Sequence, residues 1–323
     1  MPECRGFVDS IDGGCLRFDR YIANKANIPT RSQLKVRNAQ AVINSKPVKL
    51  SFPVKFGDVF ELHWDDAPLQ NILPENIDLK TLYEDDKVIV VNKPQGMVVH
   101  PAAGNWSGTL VNALLGRCAG RNNCGGVHTE NSRPFIVHRL DKDTSGVIIA
   151  AWDAAALAFL QEQFKARTVK KTYIAITRGA PREKKGLVST KIIRDSKNRK
   201  RFTVSDVKGR SSITRYQIKS LLTMPDGAVY ALLLLHPATG RTHQIRVHLK
   251  HLGCPVLGDP LYGTRDKRFP DATLALHALK LSIVLPGDKK ISVFRAPVPK
   301  RFFVPHGLIN RTSIYDEINN QVT

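Results

Sequence analysis

The sequence has no apolar run long enough to cross a bilayer. Its longest, such as residues 231 to 235, cover only a few positions, against the roughly 20 that a membrane helix needs. The N-terminus, Met1-Pro2-Glu3-Cys4-Arg5, lacks the apolar stretch of a secretory signal. With no amphipathic basic helix or lipidation motif either, a membrane partner is not expected. Cysteine is scarce and scattered, five residues in 323 with no paired spacing. An odd, dispersed set does not make a disulfide framework and points to a reducing cytoplasm. Cys118 and Cys124, with His128 nearby, are the one cluster that invites a metal. Structural zinc uses tighter pairs and four ligands, so ordinary loop cysteines are expected there.

Acid is also in short supply. The chain carries 28 Asp and Glu against 49 Lys and Arg, a formal net charge of +21. Hydrophobic and charged fractions of 42% and 24% are those of an ordinary globular protein, so the imbalance concerns partners rather than folding. A polyanion is implied, with nucleic acid ahead of an acidic membrane surface; a merely basic enzyme is the plainer reading. The length allows a catalytic domain with a full core plus one smaller module.

What the chain does have is a charge-dense loop, Val137-His138-Arg139-Leu140-Asp141-Lys142-Asp143-Thr144-Ser145-Gly146, feeding a short apolar strand, Val147-Ile148-Ile149-Ala150. β-Branched residues suit a buried strand. A satisfied turn accounts for Asp143, Thr144 and Gly146 equally well. It does not explain two carboxylates and several cations crowding one strand entrance, where chemistry is often mounted.

The word His-Arg-Leu-Asp-x-x-Thr-Ser-Gly resembles the signature of the RluA-type pseudouridine synthases, in which the aspartate is indispensable. That position is Asp141. Tyr-Glu-Asp-Asp, Val-Asn-Lys-Pro, Gly-Met-Val-Val-His-Pro and Gly-Thr-Leu-Val-Asn-Ala-Leu precede it in the family's order. Downstream come Thr-Gly-Arg-Thr-His-Gln-Ile-Arg, Gly-Asp-Pro-Leu-Tyr-Gly, Leu-His-Ala and Phe-Arg-Ala-Pro-Val-Pro. The resemblance implies that Tyr173, in Lys171-Thr172-Tyr173, lies against the target uracil, and that Arg246 pairs with Asp141. An aromatic platform for an unstacked base is physically reasonable. Arg139 would fill the space left by a flipped nucleotide or brace the loop, and Arg241 and His243 would face RNA.

Ahead of this domain, Leu16, Tyr21, Ile22 and Ala26 fall at helical spacing, with Arg17, Arg20 and Lys25 on the polar side. Thr30 or Ser32 is placed to cap a second helix carrying Arg31, Lys35 and Arg37, before a strand, a turn and further strands. Arg-Phe-Asp-Arg-Tyr-Ile, Val-Ile-Asn-Ser-Lys-Pro-Val and Gly-Asp-Val resemble the small RNA-binding domain first seen in ribosomal protein S-four; a basic, solvated helix pair is the plainer reading. Asp153 is placed to cap a helix through Arg167, whose stripe of Leu157, Leu160 and Phe164 reads as core. Thr242 would begin another, with Ile245, Leu249 and Leu252 buried and His243, Arg246 and Lys250 opposite. Residues 191 to 214 hold the densest cationic run; it reads as a loop whose Arg199 and Arg201 contact phosphate.

The expected fold is α+β: a small helical and β RNA-binding module (residues 15–63), a linker (64–79), a mixed, mainly antiparallel sheet flanked by helices (80–303) and a tail (304–323). The resemblance implies isomerisation of uridine to pseudouridine in RNA, ribosomal RNA before transfer RNA, by a cytoplasmic monomer needing neither metal nor redox cofactor. The rival readings are a non-catalytic RNA-binding or ribosome-assembly protein and a glycoside hydrolase. The set Asp141, Tyr173 and Arg246 argues against the first, since pure binding does not need it; the lack of a second well-placed carboxylate argues against the other.

Overall fold

The computed structural model describes residues 2–11, 15–25, 28–29, 33–34, 37–65, 72–102, 104–118 and 135–303. The chain divides into two compact units, Met1–Asn71 and Ile72–Thr323. No helix among the described residues is long and apolar enough to cross a membrane.

In the smaller unit, β1 (Glu3–Phe7), β2 (Leu16–Arg17), α1 (Phe18–Tyr21), β3 (Gln40–Ile43), β4 (Lys46–Val48), β5 (Pro53–Val54) and β6 (Val59–His63) follow in order. Four strands form one sheet, β1-β6-β3-β4, while β2 pairs with β5. The expected helix from Leu16 begins at Phe18, because Leu16 and Arg17 pair with Val54 and Pro53. The β3–β4 turn places Asn44 and Ser45 at φ of 49° and 64°, the left-handed pair that a two-residue hairpin favours. Phe18, Ile22, Phe60 and Leu62 fill the core. Thr30, Ser32, Arg31 and Lys35 lie outside the described residues.

The larger unit carries β7 (Thr81–Glu84), β8 (Val88–Lys93), α2 (Leu110–Cys118), β9 (Phe135–Ile136), β10 (Ser145–Ala151), α3 (Ala154–Ala166), β11 (Lys170–Arg178) and β12 (Lys185–Arg194). It continues with β13 (Phe202–Ser205), β14 (Arg210–Thr223), β15 (Val229–Pro237), α4 (Gln244–His251), β16 (Leu276–Val284) and β17 (Ile291–Arg295). The sheet runs β13-β12-β14-β15-β11-β16-β10-β8-β7, with β17 on β16 and β9 on β10. Among these pairs only β10 and β16 are parallel. The α+β class and the mainly antiparallel sheet agree with the sequence reading.

Alternation along β8 and β10 explains why two helices cover the sheet. Val88, Val90, Val147 and Ile149 turn to α3, where Leu160 is fully buried. Ile89, Val91, Ile148 and Ala150 turn to α2 and its Leu110 and Leu114. Such double burial gives a continuous apolar run rather than a clean alternation. Asp153 caps α3, accepting from the Ala156 amide at 2.7 Å, and Arg167 closes it in the left-handed region.

The cationic run is only partly a loop. Lys191, Arg194 and Arg210 stand in the β12–β13 and β12–β14 ladders, with Ile192, Phe202 and Val204 turned inward. Lys197, Arg199, Lys200, Arg201 and Lys208 lie on the connections. Charged side chains on the solvent face mask the period of two that marks a strand. Cys118, at the end of α2, is disulfide-bonded and so is not the ordinary loop cysteine expected. Cys124 and His128 lie outside the described residues.

Candidate active site

Asp141 sits on the loop between β9 and β10, and the backbone fixes that loop at several points. The Thr144 amide donates to the Asp141 carbonyl at 3.1 Å, and the Gly96 amide donates to the Lys142 carbonyl at 2.9 Å. The fully buried Lys93 donates from Nζ to the carbonyls of Pro94, Met97 and Lys142 at 2.9, 2.8 and 3.1 Å. Burial pushes its ammonium down to about 7, opposed by the charges of Asp141 and Asp143. Gly146 ends the loop at φ 118°, where a Cβ would collide with the Ala278 carbonyl on β16. Only glycine fits there.

On the other side, Thr239-Gly240-Arg241 turns the chain from β15 into α4. Gln244 holds the turn with all four of its bonds. Its Oε1 accepts from the Thr239 hydroxyl at 2.7 Å and the Arg241 amide at 3.0 Å. Its amide donates to the Ile213 carbonyl and the Thr214 hydroxyl. His243, at φ 55°, precedes the helix. The expected polar face of α4 is not solvated: Arg246 is only 3% exposed, while Lys250 does reach solvent.

Arg246 comes within 3.3 Å of Asp141 Oδ2 through Nη1. Its planar fork is taken elsewhere. Nε and Nη2 donate to Asp259 Oδ2 and Oδ1 at 2.7 and 2.8 Å. One buried guanidinium therefore serves two carboxylates, bidentate to Asp259 and through a single N–H to Asp141. Asp259 is itself positioned, since Oδ1 also accepts from the Leu261 and Tyr262 amides. Sequence reasoning placed the arginine at Asp141 and overlooked Asp259. The available signal was an aspartate before proline, which reads as an ordinary turn residue.

Tyr173 lies on β11 where the register against β16 shifts between Thr172 and Tyr173, an irregularity of the kind that re-aims a side chain. Burial, then the charge of Asp141, pushes its phenol well above the usual range, so the hydroxyl stays protonated. Asp141, Tyr173, His243, Gln244 and Arg246 line a cleft of about 450 Å³. Arg139 and Arg241 also line it, Arg139 exposed and Arg241 half-buried with Nε on the Ser211 carbonyl. Phe164, expected in the core, lines the cleft too and stacks on His138 at 4.8 Å. The Ile149 amide donates to His138 Nε2, and burial pushes that imidazole down to about 3. It is a neutral strut.

Lys165, Arg167 and Lys171 line the cleft as well, whereas Arg199 and Arg201 do not. Arg199 and Arg201 are exposed on the connection from β12 to β13. Arg17 is engaged by Asp19 at 2.8 Å, whereas Arg20 is exposed and Arg37 half-buried. Among the described residues no group of three His, Cys, Asp or Glu could hold a metal ion.

Asp141, held by the buried Arg246, and Tyr173 thus open onto one cleft, as the resemblance of the sequence words implied. The family model described as RNA pseudouridylate synthase matches residues 87–251. A protein named ribosomal large subunit pseudouridine synthase D from Borreliella burgdorferi is 40% identical over 301 residues, 91% of this chain and 90% of that one. An uncharacterized RNA pseudouridine synthase of Bacillus subtilis is 38% identical, over 88% of this chain and 91% of its own. Among solved structures, human RNA pseudouridylate synthase domain containing 1 superposes with a TM-score of 0.58 at 28% identity, covering 77% of this chain and 97% of that one. The chain belongs to the RNA pseudouridylate synthase family, whose members isomerise uridine to pseudouridine.

Proposed function

We propose that Asp141 is the carboxylate that drives this isomerisation and that the target uridine lies in large-subunit ribosomal RNA. The reaction breaks the bond from ribose C1′ to uracil N1, turns the base and rejoins it through C5, with the C5 hydrogen leaving as a proton. An ionised carboxylate can stabilise or trap positive character at the anomeric carbon, as in glycoside chemistry. The observation that carries the reading is Arg246 Nη1 at 3.3 Å from Asp141, a charge-assisted contact that orients the carboxylate. Tyr173 offers a protonated aromatic face for the base. The ribosomal assignment rests on the printed name of the 40% identical relative. Incubating the enzyme with 5-tritiated ribosomal or transfer RNA should release tritium from the ribosomal substrate. Release from transfer RNA alone would move the target, and release from neither would remove the catalytic reading.

The outer cations are assigned to phosphate. Arg199 and Arg201 project from the sheet edge, and the smaller unit, with Arg20 and Arg37, is read as an RNA clamp without base specificity. Replacing both hairpin arginines with glutamine should weaken RNA binding. The slope of log K against log salt should become shallower by roughly 0.7 per lost contact on single-stranded RNA. Filter binding at several salt concentrations measures this; an unchanged slope would take the hairpin out of the interface.

A further inference from the structure

His243 was read from the sequence as an RNA contact, yet its ring faces Asp141. Nε2 lies 4.0 Å from Asp141 Oδ2, and Nδ1 lies 2.8 Å from the Tyr262 hydroxyl. That hydroxyl also accepts from the Phe202 amide at 2.8 Å. An amide can only donate, so the phenol oxygen is the acceptor there, which leaves its own hydrogen available to His243 Nδ1. A neutral imidazole that accepts at Nδ1 carries its proton on Nε2.

We propose that Tyr262 is a positioning residue for the isomerisation: its hydroxyl, anchored by the Phe202 amide, holds His243 as the Nε2–H tautomer and aims that N–H at Asp141. The proposal rests on Asp141 being the reacting carboxylate. The turn from Asp259 to Tyr262 then fixes both groups that flank Asp141. Asp259 grips Arg246, the Tyr262 hydroxyl grips His243, and the Tyr262 ring lies 5.1 Å from the Arg246 guanidinium. A 4.0 Å separation is long for a hydrogen bond, but catalytic contacts often tighten only when substrate fills the site. His243 sits at φ 55°, a conformation that His, Asn and Asp tolerate better than most residues. The anchor is also mechanical, because Phe202 belongs to β13, beside the cations assigned to RNA phosphate. The charged and titratable groups facing the ring are Asp141 and Arg139 from the loop before β10, Arg246 from α4, and Asp259 and Tyr262 from the turn. Burial, the largest influence, lowers the imidazole below its ordinary value, keeping it neutral near pH 7.

The tautomer can be read directly. Nitrogen NMR of histidine-labelled enzyme, with His243→Asn to assign the signal, should show protonation at Nε2 and a bare Nδ1 at pH 7. A proton on Nδ1, or on both nitrogens, would overturn the proposal whether or not Tyr262→Phe folds. Kinetically, Tyr262→Phe should lower kcat roughly tenfold, the worth of one charge-assisted contact, with KM for RNA little changed. The phenol's hydrogen stabilises the neutral ring, so its loss makes protonation easier and shifts the acid limb of kcat to higher pH. His243→Asn keeps the backbone conformation and an acceptor for Tyr262 but has no Nε2–H, so it should be at least as slow and lack that limb. A Tyr262→Phe enzyme with an unmoved kcat and acid limb, or with its loss confined to KM, would sink the idea. A wild-type enzyme that makes no pseudouridine would instead sink the Asp141 reading and leave the tautomer to the NMR result.

Discussion

Asp141→Asn should abolish pseudouridine formation while leaving RNA affinity nearly unchanged. Asparagine keeps the shape, and its oxygen can still accept from Arg246 Nη1, so the loop stays where Lys93, Gly96 and Thr144 fix it. Arg246 also keeps its bidentate partner Asp259, so the substitution leaves no buried charge unpaired. Only the carboxylate is lost. Removing an essential reacting group costs roughly 10⁴-fold or more in turnover, which tritium release from 5-tritiated RNA would read as a near-complete loss. Binding, which we assign to the cations, should not follow. Residual turnover of more than a few per cent would make Asp143, two residues on and half-buried, the better candidate.

Arg246→Ala should damage both folding and catalysis. The guanidinium is 3% exposed and serves Asp259 and Asp141 together, so its removal leaves two carboxylates without their cation. Breaking a buried pair by deleting one partner costs about 3–5 kcal/mol, visible as a lower urea midpoint with an unchanged slope. Arg246→Lys separates the two roles. A lysine keeps the charge but cannot span both carboxylates as the fork does. It should recover more stability than turnover. Equal recovery of both would mean that only the charge at this position matters.

The parts of the site legible in the sequence are those with a local signature. The aspartate loop is one contiguous word, and α3 announced itself through its cap at Asp153 and its stripe around Leu160. The Arg246 contact, 105 positions from Asp141 in the chain, came from family resemblance rather than from residue spacing. Asp259 and Tyr262 went unread because nothing within their own turn shows that a guanidinium or an imidazole arrives from α4. Lys93 was equally silent: three backbone carbonyls solvate its ammonium, and sequence reveals none of them. β1 was missed because its five residues alternate between exposed and half-buried, and its partner β6 lies more than fifty positions away. The strands flanking the β12–β13 connection read as loop because their charges mask the few apolar side chains that pin them.

The position of β16 has a consequence for how the enzyme is made. This strand, residues 276–284, lies between β11 and β10, joining the half of the sheet that carries Arg246 to the half that carries Asp141. It is also the last long strand to leave the ribosome. Pairings between distant segments bear a loop-closure cost and form late. Until β16 has paired with both neighbours, the segments that carry the acid and the guanidinium are not yet joined, so the site is completed by one of the last strands to be made.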